Sequence, residues 1–345
     1  MSQVPLGNIA SREGNYPILE THDVSVIFRR SKPLFRRALF DTEIRAVNRV
    51  SFSVGESEIV SLVGESGSGK TTLARCIAGL VPATAGSIKF NGKEIATFNK
   101  ALMKEYWKNV QMIYQDPFES LDPGKDVYSI ISTPIRNLTE ERDPNVIRQI
   151  VQDLLVEMDL DPAEVMLKFP HQLSGGQRQR VNIARALAPN PKLLLADEPI
   201  TMLDAAQRLN ILALLKRLQA TRKLSILLIT HDLASAKVMS QRTFVMYLGK
   251  LVEYGPTERV LGNPHHPYVE LIMKSTPKLT KVPSKAEDVK YSWIEQSEKV
   301  KSGCVFEPRC KYATELCRSE EPVLAEISPL HYAACHNFLN AEKRE

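Results

Sequence analysis

The chain has no apolar run long enough to span a bilayer. Stretches such as SILLIT and KLLLA stop far short of the roughly 20 residues that a crossing helix needs. Its opening, MSQVPLGNIASREG, lacks the apolar core of a secretion signal, so the expectation is a cytosolic protein. No internal repeat or low-complexity tract is present. Charge of one sign is also scarce. A net charge of +5 and a pI near 8.8 are too modest to argue for nucleic acid, though they suit an anionic ligand or a membrane surface. Only five cysteines occur, and none stands in a CxxC pair. What remains is a chain of 345 residues, 43% hydrophobic and 25% charged, enough for one substantial core and a smaller appendage.

Read along its length, the chain alternates strand and helix signals. THDVSVIF (21–28) and RAVNRVSFSV (45–54) read as strands separated by a basic insert, RRSKPLFRR (29–37). EIVSLV (58–63) runs into GESGSGK, and TTLARCIAGL continues as a helix ending near Gly79. GSIKFNGKEI alternates around an Asn91-Gly92 pair, the signal of a hairpin with a primed turn. VQMIYQDP (110–117) is a further strand, and helical spacing dominates from Val127 to Lys168. Beyond LSGGQ come helix (QRVNIARAL), buried strand (KLLLAD), helix (LDAAQRLNILALLKRLQ) and strand (LSILLIT). Such alternation predicts a parallel sheet wrapped by helices. Residues 276–302, rich in Lys, Pro, Ser and Glu, read as a linker.

Three segments carry chemistry. GESGSGKT (64–71) matches the phosphate-loop pattern, with Gly64, Gly69, Lys70 and Thr71 in place. The glycines let backbone N–H groups curl around phosphates at a helix N-terminus; Lys70 adds a mobile cation and Thr71 a hydroxyl for Mg²⁺. The pattern alone fits kinases, GTPases and ATPases equally. LLLADEP (193–199) ends a buried strand in two carboxylates, which points to Asp197 on the metal and Glu198 beside an attacking water. THD (230–232) follows the next apolar strand and offers His231 as a γ-phosphate contact.

With LSGGQ (173–177) the set resembles the ATP-binding subunit of ABC transporters. The resemblance implies an α/β fold: a phosphate-loop ATPase with a mixed sheet core, an antiparallel β subdomain and an inserted helical subdomain at about 120–180, all within 18–270. It implies that Gly64, Glu65, Ser66, Gly67, Ser68, Gly69, Lys70, Thr71 and Thr72 hold ATP. Thr71, Gln115 and Asp197 take Mg²⁺, and Glu198, His231, Gln115 and Lys70 are catalytic. It further implies that Ser174, Gly175, Gly176 and Gln177 cap the γ-phosphate held by a second subunit facing head to tail. By the same analogy Phe28 stacks on adenine; a core phenylalanine is the alternative. One departure is ITMLD (200–204), where many relatives have a small-residue version, although Asp204 is kept.

Cys304, Cys310, Cys317 and Cys335 crowd into residues 303–345, with five, six and seventeen residues between successive members. In a reducing compartment four thiolates can fold a segment too small for its own core by holding a metal. An iron–sulfur cluster of [4Fe–4S] type is expected first, because it accepts varied spacing; Zn²⁺, or thiols and disulfides, are the alternatives. His331 and His336 are read as surface residues, and Cys76 as a small buried filler. NPHHPYVELIMKSTPKL, GCVFEPRCKYATELCRSEEP and HYAACH resemble the C-terminal extension of dipeptide and oligopeptide transporter ATPases. That resemblance implies a subunit powering import of peptides or related solutes. It implies a peripheral protein on the cytoplasmic face of the membrane, with a second ATPase chain: a heterodimer is favoured and a homodimer is the alternative. Two permeases and, indirectly, a solute-binding protein complete the expected partners, with no nucleic acid. The alternative is an ABC ATPase acting on nucleic acid or ribosomes.

Overall fold

The structure, a computed structural model, describes residues 17–30, 42–275 and 302–337. Most of the basic insert and, but for Ser302, the expected linker lie outside the described residues.

Two sheets organise the chain. The smaller begins with β1 (Leu19–Arg30) and β2 (Thr42–Val54) and is completed by β4 (Ala85–Phe90) and β5 (Lys93–Glu94), in the antiparallel order β2-β1-β4-β5. The β4–β5 turn is Asn91-Gly92, with φ of 48° and 73°. Positive φ at both central residues is what a primed two-residue hairpin demands.

The larger sheet starts at β3 (Ile59–Val63), which leads through residues 64–69 into α1 (Lys70–Ile77). After α2 (Lys100–Asn109) comes β6 (Val110–Ile113), then the helical segment: α3 (Pro117–Ser120), α4 (Val127–Leu138), α5 (Pro144–Glu157) and α6 (Pro162–Val165). α7 (Gly175–Leu187), β7 (Leu193–Asp197), α8 (Ala205–Arg222), β8 (Ser225–Thr230), α9 (Leu233–Met239), β9 (Arg242–Tyr247) and β10 (Lys250–Pro256) follow. α10 (Thr257–Gly262) and α11 (Pro267–Ser275) close the cassette; α12 (Glu315–Ser319), β11 (Ala325–Ser328) and β12 (His331–Ala333) belong to the C-terminal extension.

Strand order is β11-β12-β10-β9-β3-β8-β7-β6, with β9, β3, β8, β7 and β6 parallel and β10, β12 and β11 antiparallel to their neighbours. β3, β7 and β8 are buried at every position, as parallel strands covered on both faces must be. Along β8 the faces alternate: Ile226 and Leu228 join the core beneath the helical segment, while Leu227 and Ile229 join the core shared with the antiparallel sheet. Eight of the eleven α-helices described in the cassette open on an Asn, Asp or Ser cap. Asn99, Asp116, Asp126, Asp143, Asp161, Ser174, Asp204 and Asp232 each accept a backbone N–H of the first turn.

The C-terminal extension is stitched into the cassette. β12 continues the main sheet by pairing Ala333 with Glu253 and Tyr332 with Tyr254 of β10. Cys304, Phe306 and Cys317 share a third core with Tyr247 and Tyr268. His331 therefore departs from the surface position expected of it. It is buried, and its Nε2 lies 2.7 Å from Oε1 of the fully buried Glu253. That carboxylate also accepts the backbone N–H groups of His265 and His266.

Candidate functional site

The phosphate loop lies at the C-terminal edge of the parallel strands, between β3 and α1. Gly64 and Gly69 have φ of 158° and 102°. A Cβ at Gly64 would fall 2.2 Å from the carbonyl of Met246, and one at Gly69 would fall 2.0 Å from that of Ala46. Only glycine lets this loop seat so closely on the neighbouring backbone. Lys70 is buried, its Nζ donating to the carbonyls of Gly64 (2.7 Å) and Glu65 (2.8 Å) and lying 3.3 Å from Ser68 Oγ. Burial lowers its pKa against the opposing pull of Glu198, Asp197 and Glu65.

β7 delivers the two adjacent carboxylates, and their surroundings differ. Asp197 accepts a hydrogen bond from Thr71 Oγ1 at 3.2 Å. Burial pushes its pKa up to about 6, with the Thr71 bond opposing and Glu198 adding to the rise. Glu198 turns the other way: its Oε1 is 2.8 Å from Nδ1 of His231, and its Oε2 accepts from Thr201 Oγ1 at 2.8 Å. Burial works against its ionisation, but the His231 and Thr201 bonds prevail and its pKa ends below the ordinary value. His231 responds in kind, raised chiefly by its bond to Glu198, and its ring is largely exposed. The Glu198 backbone has φ of 48°, a conformation that a non-glycine residue adopts only where surroundings impose it. Its N–H bond to Ile229 of β8, at 2.9 Å, is one such constraint.

Gln115 stands two residues past the end of β6, exposed, beside the strand carrying Asp197. Phe28 is 44% exposed, so it is not the core residue offered as the alternative reading. Ser66 and Gly67 are exposed at the tip of the loop, Ser68 is buried, and Thr72 lies in the first turn of α1.

Ser174 to Gln177 occupy the N-terminus of α7. Ser174 Oγ accepts the N–H of Gln177 at 3.2 Å, and the Gln177 side chain accepts the N–H of Ser174 at 3.0 Å, a reciprocal capping box. Among the described residues no hydrogen bond links this turn to residues 64–72. Its neighbours lie in the loop after Glu198 and the first turn of α8: Leu203 approaches Gly175, Gln207 approaches Gly176, and Gln179 donates to the carbonyl of Pro199 at 2.8 Å. Asp204, kept in the divergent ITMLD, caps α8.

The chemistry of the set fits a magnesium nucleotide: a glycine cradle that any Cβ would fill, a buried ammonium, and a hydroxyl paired with a carboxylate as hard oxygen donors. The metal centre expected on Cys304, Cys310, Cys317 and Cys335 fares differently. Cys304 lies within electrostatic reach of the other three thiols, and burial pushes its own pKa up to about 11. Yet among the described residues no group of three or more His, Cys, Asp or Glu is arranged to hold a metal ion. Cys304 and Cys317 instead share a hydrophobic cluster with Phe306, Tyr247 and Tyr268. Cys76 is buried in the core, as read.

Sequence reasoning missed three participants. Thr201 could have been found from its i+3 spacing to Glu198 within the turn that follows the strand. Tyr268 and Arg309, which grip Glu65, gave no local signal.

Comparison with known proteins agrees with this geometry. The profile of a family described as ABC transporter matches residues 47–201, and one described as Oligopeptide/dipeptide transporter, C-terminal region matches residues 252–317. The chain is similar to the oligopeptide transport ATP-binding protein AppF of Bacillus subtilis (strain 168), 39% identical over 93% of this chain and 97% of the relative. It is likewise similar to the oligopeptide transport ATP-binding protein OppF of Escherichia coli (strain K12), 37% identical over 94% and 98%. Among solved structures, the dimeric post-hydrolysis ATP-binding cassette MJ0796 bound to ADP and Pi overlays with a TM-score of 0.61 and 25% identity. The overlay covers 69% of this chain and 98% of that one.

Proposed function

This chain belongs to the ABC transporter family, as an ATP-hydrolysing subunit of the oligopeptide and dipeptide import type, and on that premise we propose how its residues divide the work. Gly64 to Thr72 hold the triphosphate, and Thr71, Asp197 and Gln115 are the residues for Mg²⁺. The ion supplies charge neutralisation between the phosphates. Glu198 accepts a proton from the attacking water while His231 orients that carboxylate and reaches the γ-phosphate; Lys70 balances phosphate charge, and Phe28 offers its exposed ring to adenine.

The observation that carries this reading is the divergence of two consecutive carboxylates, Asp197 turned to the phosphate loop and Glu198 to His231. A metal ligand and a proton acceptor need such separate surroundings. Ser174, Gly175, Gly176 and Gln177 present a helix N-terminus to the γ-phosphate of a second ATPase subunit, a different chain in preference to a copy of this one. A helix start suits a trianion, and a site completed in trans makes ATP the link of the dimer.

Closure of that dimer would drive two permease subunits, fed by a solute-binding protein, from the cytoplasmic face of the membrane. No helix among the described residues is long and apolar enough to cross a membrane, consistent with a peripheral position on the permeases. Their docking place is the groove of about 430 Å³ lined by Leu80, Trp107, Tyr114, Lys125 and Arg185. The matched C-terminal region and the peptide-transport relatives favour this role over action on nucleic acid or ribosomes. An iron–sulfur cluster on the four cysteines, with Zn²⁺ as alternative, is supported only by their gathering around Cys304; iron and sulfide analysis of anaerobically purified protein decides it.

Glu198→Gln tests the division of labour. The variant should bind MgATP, associate with its partner ATPase only when ATP is present, and lose at least about 100-fold in turnover, the scale of a lost general base. Normal turnover, or association indifferent to ATP, would overturn the assignment.

A further inference from the structure

Glu65, the second residue of the phosphate loop, is gripped by three side chains. Its N–H donates to Oη of the fully buried Tyr268 at 2.8 Å, and its carbonyl accepts from Lys70 Nζ at 2.8 Å. Its carboxylate takes a two-pronged hydrogen bond from Arg309: Nη1 to Oε2 at 2.7 Å and Nη2 to Oε1 at 3.0 Å. Arg309 belongs to the C-terminal extension, 244 positions further along the chain. Its guanidinium is itself fixed. It lies 5.7 Å from the ring centre of Tyr247 and 5.8 Å from that of Phe306, with the Tyr247 hydroxyl 3.4 Å away. Those two rings meet edge to face, and each packs at a tilt against Tyr268.

We propose that Arg309 is a positioning residue for ATP, through which the C-terminal extension sets the nucleotide affinity of the phosphate loop. The inference rests on the reading that residues 64–72 hold the triphosphate. Two physical effects act in the same direction. A carboxylate in the second position of the loop repels a polyphosphate, and the guanidinium cancels that charge at contact distance. The planar fork also holds Glu65 in one orientation, and Glu65 supplies one of the two carbonyls that anchor Lys70. Neither effect touches the Glu198–His231 bond, and Lys70 keeps its second anchor on Gly64, so binding should change far more than the chemical step.

The test uses the full chain, with MgATP titrated in binding and steady-state hydrolysis. Arg309→Ala should raise Kd and KM for ATP by roughly 3- to 10-fold with kcat within about twofold. Arg309→Lys, which keeps the charge but not the fork, should lie between it and the wild type. Glu65→Gln should be milder than Arg309→Ala because it also removes the repelling charge, and added to Arg309→Ala it should cause no further loss. An unchanged KM in Arg309→Ala, a fall confined to kcat, or additive effects in the double variant would overturn the inference. Should Arg309→Ala fail to fold, Arg309→Lys and Glu65→Gln carry the test, and an unchanged KM in both overturns it equally. A wild-type chain that does not bind MgATP would instead overturn the reading of residues 64–72 beneath it.

Discussion

A single strand end can hold two neighbouring acids at different proton affinities because each meets different partners. Asp197 is 1% exposed, and the Thr71 bond with the pull of Lys70 and Arg75 does not offset its burial, which lifts its pKa from 3.8 to about 6. Between those values the folded chain keeps a proton that the unfolded chain has released. Stability therefore falls as pH rises through that window, and the cost is fully present above about pH 6. A rise of about two units corresponds to at most about 3 kcal/mol. Asp197→Asn keeps an acceptor for Thr71 and removes the charge. It should raise the unfolding free energy of the nucleotide-free chain at pH 8, by up to about 3 kcal/mol, and leave it unchanged near pH 4. Urea unfolding across that pH range reads the difference; a variant no more stable than wild type at pH 8 would refute the argument. The same variant should gain nothing from MgATP, since the gain depends on the metal ligand it lacks.

At the scale of elements, the β11–β12 hairpin shows how the extension is secured. β12 makes only two residue pairings to β10, Glu253 with Ala333 and Tyr254 with Tyr332. A backbone bond from Ala334 to the carbonyl of Val252, stacking of the Tyr254 and Tyr332 rings, 4.7 Å between centres, and the His331–Glu253 hydrogen bond add to its attachment. Glu253 is wholly buried, so removal of the His331 ring leaves part of a carboxylate unsatisfied. His331→Ala should cost about 2–4 kcal/mol in equilibrium unfolding and expose the extension to limited proteolysis before the cassette. Unaltered protease resistance would show that the hairpin is held by other contacts.

Such elements mark the boundary of what the sequence discloses. Helices opening on Asp143-Pro144, Asp161-Pro162 or Ser-Gly-Gly, largely apolar parallel strands and the Asn91-Gly92 turn carry their instructions within a few residues and formed where their patterns predict. The strand read through Pro117, by contrast, ends at Ile113, and a helix starts at Pro117. The phosphate loop and the paired acids are legible for the same reason. The pairing of β12 with β10, the burial of His331 and the Arg309–Glu65 bond join residues 78 to 244 positions apart. No local periodicity encodes them; they follow from which charged groups the tertiary fold leaves facing one another.

At the scale of the whole molecule, the question is how a phosphate site could move a partner. Tyr114 and Gln115 are consecutive just beyond β6. Tyr114 lines the groove between α2 and α4, beneath the guanidinium of Arg185, which is 5.5 Å from its ring centre and also binds the carbonyl of Ser120. Gln115 lies beside the strand end bearing Asp197. A shift of Gln115 with the metal would therefore be felt at once in the groove, and a helix seated there would be carried with it. The rim is apolar on one side, with Leu80 52% exposed and Trp107 38% exposed. Leu80→Glu places a charge where a permease would have to bury it without a partner. Copurification of permeases should fall at least about tenfold, while MgATP binding by the purified subunit persists. Undiminished copurification would mean that the permeases dock elsewhere, and that Tyr114 and Gln115 do not link the two sites.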